Sequence, residues 1–278
     1  EWLRQLHAAP HPRRHGRVPY GGPDMVPLGL LYLAGALREQ GLSVRVLDCP
    51  TTPDADAQLD RILRETPPAL VGITTFTNCG LFHAMEISRK VKALCGARVV
   101  WGGVHAMLLP DVSLRDEPTL DACALGEGEG IIAALARAAA GGGSLDSVPG
   151  LAIRDGASIR STGESGPPEL GRIASHAWDL YPFPTGGRFP MVTSRGCPFQ
   201  CAFCYNTALR TGYRAAPLER VEAELDRACQ IYHPREILFY DDNFCVRKDR
   251  ALAIGEMLAK RGLAWDVDIR VDGIERGF

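Results

Sequence analysis

Three cysteines in the second half of the chain, Cys197, Cys201 and Cys204, have a spacing suited to metal chemistry. The spacing is C-x3-C-x2-C, and it follows a predicted strand, so that one short loop brings three thiols together. Thiolates are the usual ligands of iron–sulfur clusters. A [4Fe-4S] cluster held by three cysteines keeps one iron open for a further ligand. The spacing therefore predicts a cluster that can bind a small molecule.

Two other interpretations of these cysteines remain open. A structural zinc site needs a fourth ligand, which Cys229, Cys245 or His233 would supply. Cysteine is also a common residue of protein cores. Neither helical nor strand periodicity, however, explains three cysteines in a loop that contains Gly196 and Pro198.

The cysteine loop resembles the signature of the radical S-adenosylmethionine superfamily, in which an aromatic residue, here Phe203, precedes the third cysteine. The resemblance implies that the open iron chelates S-adenosylmethionine. It also implies contacts with the amino group of this cofactor at the end of the next strand, at Tyr240, Asp241 and Asp242. Arg270, at the end of the strand after that, is expected to meet the cofactor carboxylate or the substrate. The alternatives are an Asp–Asn turn or helix cap and a surface salt bridge of Arg270.

Loops rich in glycine, threonine and acidic residues follow the predicted strands of the first half. Glycines keep strand ends open to a flat ligand, and threonine and asparagine offer hydroxyl and amide partners. Together with residues 26–34, these loops resemble the amino-terminal domain of cobalamin-dependent radical enzymes. The resemblance implies cobalamin contacts at Thr74, Thr75, Thr77, Asn78, Gly102, Gly103, Gly126, Glu127 and Gly128.

Other interpretations of these loops also remain. The threonines and the asparagine would merely cap the following helix, in a Rossmann-like layer that is purely structural or binds substrate. A nicotinamide cofactor is disfavoured because the first strand–helix junction lacks G-x-G-x-x-G. No histidine lies in a D-x-H-x-x-G pattern, with which other proteins replace the base of cobalamin. We therefore expect cobalamin to bind in its base-off form.

The elements of the first half alternate in a way that is typical of parallel β-α units. Helices are predicted at 27–40, 55–65, 81–94 and 131–140, and a short hairpin is expected at 149–153. Strands are predicted at 3–8, 44–48, 70–75, 98–101 and 122–125. Five strands alternating with helices indicate a flavodoxin/Rossmann-like parallel sheet, a doubly wound α/β domain.

The second half begins a new alternation, with strands predicted at 191–194, 236–240 and 265–271 and helices at 218–232 and 249–261. These correspond to the first units of a radical SAM partial (β/α) barrel, because eight units need about 250 residues. We expect a cobalamin-binding domain at 1–150, a linker at 151–188 and a radical SAM domain at 189–278. The missing initiator Met and the abrupt end suggest a fragment of a longer protein.

The composition is that of an ordinary folded protein that does not bind nucleic acid. Lys and Arg total 31 against 33 Asp and Glu, so no basic field attracts phosphate backbones. The longest uncharged apolar run has 13 residues, whereas a membrane span takes about 20, and no signal peptide precedes it. Nine cysteines without a disulfide pattern favour a reducing compartment. We expect a cytoplasmic protein.

The two cofactors together imply a methyltransferase that acts on an unactivated carbon or on phosphorus. The expected chemistry uses a 5′-deoxyadenosyl radical and methylcobalamin, with a small-molecule or peptide substrate and an external electron donor such as flavodoxin or ferredoxin. A radical cyclase or rearrangement enzyme is one alternative. A cobalamin and iron–sulfur sensor module without turnover is the other. No catalytic residue is assigned beyond the cofactor ligands.

Overall fold

The computed structural model describes residues 26–183, 186–209 and 212–273. The chain forms two compact units, one with residues up to 168 and 174–176, the other with 169–173 and 177 onward. No helix of the described residues is long and apolar enough to cross a membrane. The predicted functional domains, 1–150 and 189–278 around a linker, stay a prediction. Within that linker, residues 158–161 add a strand to the first sheet, and Trp178 packs against Phe183 and Phe189 of the second unit.

The first unit alternates helices and strands until residue 140 and then adds a hairpin. Its helices are α1 (Leu28–Glu39), α2 (Ala55–Glu65), α3 (Gly80–Leu94), α4 (Val104–Leu108), α5 (Pro110–Asp116) and α6 (Ile132–Ala140). Its strands are β1 (Leu70–Thr74), β2 (Arg98–Gly102), β3 (Ala122–Ala124), β4 (Leu151–Asp155) and β5 (Ser158–Ser161).

The first sheet has the strand order β1-β2-β3-β4-β5. The first three strands are parallel, and Thr74 pairs with Gly102, so that the carboxyl ends of β1 and β2 lie side by side. The hairpin β4-β5 continues the sheet in antiparallel orientation. The parallel β-α part confirms the predicted fold class, and the hairpin is longer than the one expected at 149–153.

Both faces of this sheet are covered. Val99 and Trp101 of β2 pack on one face with residues from α2, α3, α4 and α5, whereas Val100 packs on the other face with residues from α6. Successive side chains of a strand point to opposite faces. An uninterrupted apolar strand is therefore buried on both sides, as in a doubly wound sheet.

Two predicted strands of the first half are not found in this sheet. Residues 44–48 pair with no strand among the described residues, although Leu47 packs against the core. Their alternating valines favour an extended backbone, but a strand also needs a hydrogen-bonding neighbour. The prediction at 3–8 lies outside the described residues. The four predicted helices are present within a residue or so of their bounds.

The second unit contains the strands and helices that carry the cysteine loop. Its strands are β6 (Arg188–Met191), β7 (Ser194–Arg195), β8 (Arg214–Ala215), β9 (Glu236–Phe239) and β10 (Ala264–Val267), and its helices are α7 (Tyr205–Leu209), α8 (Leu218–Tyr232) and α9 (Lys248–Lys260). Strands β6, β9 and β10 form a parallel sheet in that spatial sequence. This arrangement is the start of a β/α barrel. The strand predicted at 191–194 instead ends at Met191, and β7 pairs antiparallel with β8.

Candidate functional site

The cysteine loop lies beyond the carboxyl ends of β6 and β9, where parallel β/α folds bind their ligands. Cys197, Cys201 and Cys204 are partly exposed free thiols. Cys204 donates its backbone N–H to the Cys201 carbonyl at 3.0 Å, and the Thr207 hydroxyl donates to the same oxygen at 3.0 Å. Gly196, with φ of +76°, provides the left-handed turn into the loop.

The three cysteines offer the type of donor that an iron–sulfur cluster uses. Within the described ranges, no three His, Cys, Asp or Glu side chains are grouped to hold one metal ion. In a cubane, each cysteine binds a different iron, so the three thiols need not converge on one point. Thiolates are the ligand type that iron–sulfur clusters use. The loop therefore supplies suitable donors, although their assignment as ligands stays a prediction.

The Asp241 side chain is directed into the protein, and its predicted contact with the cofactor stays a prediction. Its side chain is buried and its carboxylate accepts three hydrogen bonds, from the Thr193 N–H at 2.6 Å, the Thr193 hydroxyl at 2.7 Å and the Ser194 hydroxyl at 2.5 Å. Burial raises the pKa of Asp241, while the Ser194 and Thr193 donors oppose that rise. Asp241 thus fixes the segment that leads from β6 into the cysteine loop. Sequence reasoning missed Thr193 and Ser194, because only the pairing of β6 with β9 brings them to Asp241.

Asp242 ties the two flanks of the cysteine loop together. One carboxylate oxygen accepts the Gly196 N–H at 2.8 Å, and the other accepts the Tyr205 hydroxyl at 3.1 Å. Gly196 immediately precedes Cys197, and Tyr205 immediately follows Cys204. Burial and the neighbouring Asp242 carboxylate raise the pKa of Tyr205, so the phenol stays protonated and donates. Tyr205 was not predicted as a site residue, although its position next to the third cysteine was visible in the sequence.

Tyr240, Arg250 and Asn243 lie near these two aspartates. Tyr240 donates its backbone N–H to the Met191 carbonyl at 2.8 Å, which continues the pairing of β6 with β9. Arg250, buried beneath the loop, donates to the Thr193 carbonyl at 3.1 Å, and burial lowers its pKa. The Asn243 side chain is also buried, and its carbonyl oxygen accepts no hydrogen bond from the described residues.

Arg270 contacts the cysteine loop itself. Its Nη1 donates to the Cys201 sulfur at 3.0 Å, and its guanidinium carbon lies 4.1 Å from the centre of the Phe199 ring. The salt bridge considered from the sequence is also present, since Nε and Nη2 both donate to the Asp272 carboxylate. Phe203, by contrast, is 93% exposed. The structure therefore brings Arg270 to the loop and leaves Phe203 on its surface.

In the first unit, three predicted polar residues make hydrogen bonds within the protein. The Thr75 hydroxyl donates to the Gly102 carbonyl at 2.9 Å. Thr77 Oγ1 lies 2.9 Å from Nδ1 of the buried His105, whose pKa is lowered by burial. The Asn78 side-chain oxygen accepts the Gly80 N–H at 2.8 Å, which is the helix-capping alternative. Thr74, at the end of β1, has an exposed side chain.

The glycines that are predicted to contact cobalamin differ in how closely other atoms approach them. Gly103 has φ of +86°, and a Cβ there would lie 2.9 Å from the Thr75 carbonyl. A Cβ on Gly128 would meet Leu33 of α1 at 2.7 Å. A Cβ on Gly102 or Gly126 would make only ordinary van der Waals contact, with the nearest atoms at 3.9 Å and 4.0 Å. Glu127, between two of the glycines, is half-buried. A side chain is therefore sterically excluded at Gly103 and crowded at Gly128, whereas Gly102 and Gly126 have room for a Cβ; the predicted cobalamin contacts of all four glycines stay a prediction.

The chain is similar to known proteins. Residues 18–136 match the B12 binding domain family. The chain is 32% identical over 261 residues to an uncharacterized methyltransferase of Pyrococcus horikoshii, covering 88% of this chain and 55% of that protein. It is 26% identical to the anaerobic magnesium-protoporphyrin IX monomethyl ester cyclase of Cereibacter sphaeroides, covering 96% of this chain and 46% of the cyclase.

The fold also matches a solved structure. The radical S-adenosylmethionine methyltransferase TsrM from Kitasatospora setae, with cobalamin and a [4Fe-4S] cluster bound, superposes with a TM-score of 0.69 at 21% identity. The match covers 87% of this chain and 49% of the TsrM chain. The chain thus spans about half the length of the proteins that it resembles.

Proposed function

Because the chain belongs to the cobalamin-dependent radical S-adenosylmethionine enzymes, we propose that it acts as a methyltransferase on an unactivated carbon or on phosphorus. The observation that carries the proposal is the cysteine loop at the carboxyl edge of a parallel sheet, in a chain whose first unit matches the B12 binding domain family. The resemblance to a methyltransferase along most of the chain supports it.

The residues present fit the three cofactors that this proposal needs. Cys197, Cys201 and Cys204 would hold the [4Fe-4S] cluster, and the loops at Gly102 and Gly126, after β2 and β3, would contact cobalamin. When bound, the cluster with S-adenosylmethionine supplies hydrogen abstraction from an unreactive site, and cobalamin supplies the methyl group.

The contribution of the protein itself is positioning. Asp241 holds the strand that enters the cysteine loop, and Asp242 holds both flanks of the loop. Fixed ligands limit how far a metal centre can move between oxidation states. The partly exposed thiols leave a side from which a donor such as flavodoxin or ferredoxin would deliver electrons. The cysteines, which form no disulfide among the described residues, suit a reducing compartment such as the cytoplasm.

A second candidate function is a radical cyclisation or rearrangement. The observation in its favour is the resemblance to the magnesium-protoporphyrin cyclase, which extends over 96% of this chain. Both functions use the same two units, and the substrate decides between them. A cobalamin and iron–sulfur sensor without turnover would share the same site and cleave no S-adenosylmethionine.

The deciding experiment measures the fate of S-adenosylmethionine. Protein purified and reconstituted without oxygen is incubated with methyl-labelled S-adenosylmethionine, a reductant and candidate tetrapyrrole, lipid and peptide substrates. A methyltransferase yields labelled product with both S-adenosylhomocysteine and 5′-deoxyadenosine. Unlabelled product with 5′-deoxyadenosine alone indicates cyclisation or rearrangement. The absence of cleavage with every substrate contradicts both enzymatic functions.

A further inference from the structure

Arg270, which lies outside the cysteine loop, donates a side-chain hydrogen bond to a thiol of that loop. Its Nη1 lies 3.0 Å from the Cys201 sulfur. Cys201 is the middle cysteine of the three, and Arg270 follows β10, so the contact joins two segments 69 residues apart in sequence. An N–H group aimed at a cluster-ligating sulfur is a known means of tuning a cluster.

Two further contacts fix the orientation of this guanidinium. Asp272 accepts hydrogen bonds from Nε and Nη2, which leaves the Nη1 edge facing the sulfur. Phe199, which belongs to the same loop as Cys201, lies against the guanidinium at 4.1 Å. A cation over an aromatic ring is attracted by the ring face. The planar fork of arginine is thus held on one side by a carboxylate and on another by an aromatic ring.

We propose that Arg270 is a positioning residue that raises the reduction potential of the cluster through its hydrogen bond to Cys201. The inference depends on the proposed function only because it requires the [4Fe-4S] cluster to be bound. Reduction adds one electron, supplied by the external donor, and makes the cluster more negative. A positive N–H donor on a ligand sulfur stabilises that reduced state more than the oxidised one. Arg270 gives up neither an electron nor a proton.

Arg247 provides a matched control. It makes the same type of fork with an aspartate two residues later, since its Nε and Nη2 donate to Asp249 at 3.4 Å and 2.6 Å. Both pairs are partly exposed. Within the described part of the chain, Arg247 hydrogen-bonds Asp249 and no cysteine. Replacing either arginine by glutamine removes one positive charge, but only Arg270→Gln removes the N–H donor from sulfur.

The test is a redox titration of the reconstituted chain, followed by the electron paramagnetic resonance signal of the reduced cluster, with iron counted in each sample. We expect Arg270→Gln to shift the midpoint potential to a more negative value, Arg270→Lys to shift it less, and Arg247→Gln to leave it unchanged. Lysine keeps the charge but loses the planar fork. The Arg270 variants should retain the iron of the parent.

Each outcome decides the proposal. Unchanged potentials in iron-loaded Arg270 variants overturn it, as does an equal shift in Arg247→Gln. If Arg270→Gln loses iron, Arg270→Lys decides: a lower potential with full iron supports the proposal. Loss of iron from both Arg270 variants overturns it, because Arg270 would then be needed to hold the cluster. A parent chain that binds no cluster contradicts the proposed function instead, so the two failures are distinct.

Discussion

At the scale of single residues, the two adjacent aspartates after β9 hydrogen-bond different segments of the chain. Asp241 is 2% exposed and bonds the segment entering the cysteine loop, whereas Asp242 is exposed and bonds the loop itself. Successive side chains of an extended backbone point to opposite sides. Sequence reasoning treated the two as one cofactor-binding pair, because the polar strand end was visible but not which side chain faces inward.

The two hydrogen bonds by which Asp242 joins the flanks of the cysteine loop predict a graded effect on cluster retention. Tyr205→Phe removes one hydrogen bond, and Asp242→Ala removes two. A hydrogen bond to a charged group contributes about 1.5–3 kcal/mol, and 1.36 kcal/mol is about tenfold in rate. We expect iron release to a chelator to accelerate about tenfold in Tyr205→Phe and more in Asp242→Ala. Absorbance of the iron–chelator complex measures the rate. Asp249→Ala, which removes an exposed aspartate elsewhere in the unit, is the control, and equal rates in all variants would contradict the role of these hydrogen bonds.

Asp241 predicts a dependence of stability on pH. Burial raises its pKa above the ordinary 3.8. A carboxyl group whose pKa is higher in the folded state contributes stability at low pH, and this contribution is lost as the pH rises through the folded pKa. Asp241→Asn does not titrate. The free energy of unfolding of the parent minus that of the variant should therefore fall as the pH rises above about 4. Urea unfolding at several pH values measures it, and a difference that rises with pH would show the opposite shift.

At the scale of elements, the sequence predicts long helices best. The helices at 55–65 and 218–232 have the predicted bounds, because their apolar residues recur with helical spacing. Short elements were missed: α4, α5 and the β7–β8 pair span between two and seven residues each. Such segments contain too few residues to show a period. The cysteine motif was visible in the sequence, whereas its support by Asp242 and Arg270 depends on contacts between distant segments.

The junction after β2 gives a prediction at this scale. Gly103 has φ of +86° and ψ of 179°, a region that is essentially restricted to glycine, and a Cβ would also press on the Thr75 carbonyl. We expect Gly103→Ala to lower the free energy of unfolding by more than about 2 kcal/mol. Gly126→Ala, whose added Cβ would approach no atom more closely than 4.0 Å, should change it by less than about 0.5 kcal/mol. Urea unfolding compares the two, and equal losses would refute the difference in packing.

At the scale of the whole molecule, each unit carries its own set of predicted cofactor residues. The three cysteines and the residues that support them belong to the second unit, whereas the glycine and threonine loops belong to the first. Each unit also has its own parallel sheet. The sequence predicts one cofactor-binding domain in each half because each half has its own strand–helix alternation and its own motif. The sequence does not specify the substrate, because none of the motifs identified in it belongs to a substrate site.

The separation of the two sets predicts that each cofactor can be removed without the other. In the triple variant Cys197→Ala, Cys201→Ala and Cys204→Ala, we expect iron binding to be lost and base-off cobalamin binding to remain, because the cobalamin residues lie in the other unit. Gly126→Trp should do the reverse, since a bulky side chain would block the loop at which we propose that cobalamin binds, while the cysteine loop is untouched. Iron analysis and the absorption spectrum of bound cobalamin give both quantities from one sample of the intact chain.

The matched control is Gly130→Trp, where the added side chain meets open space and no cobalamin contact is proposed. If the triple cysteine variant loses cobalamin as well as iron while staying folded by circular dichroism, the two sites depend on each other and the proposed assignment of one cofactor to each unit is wrong.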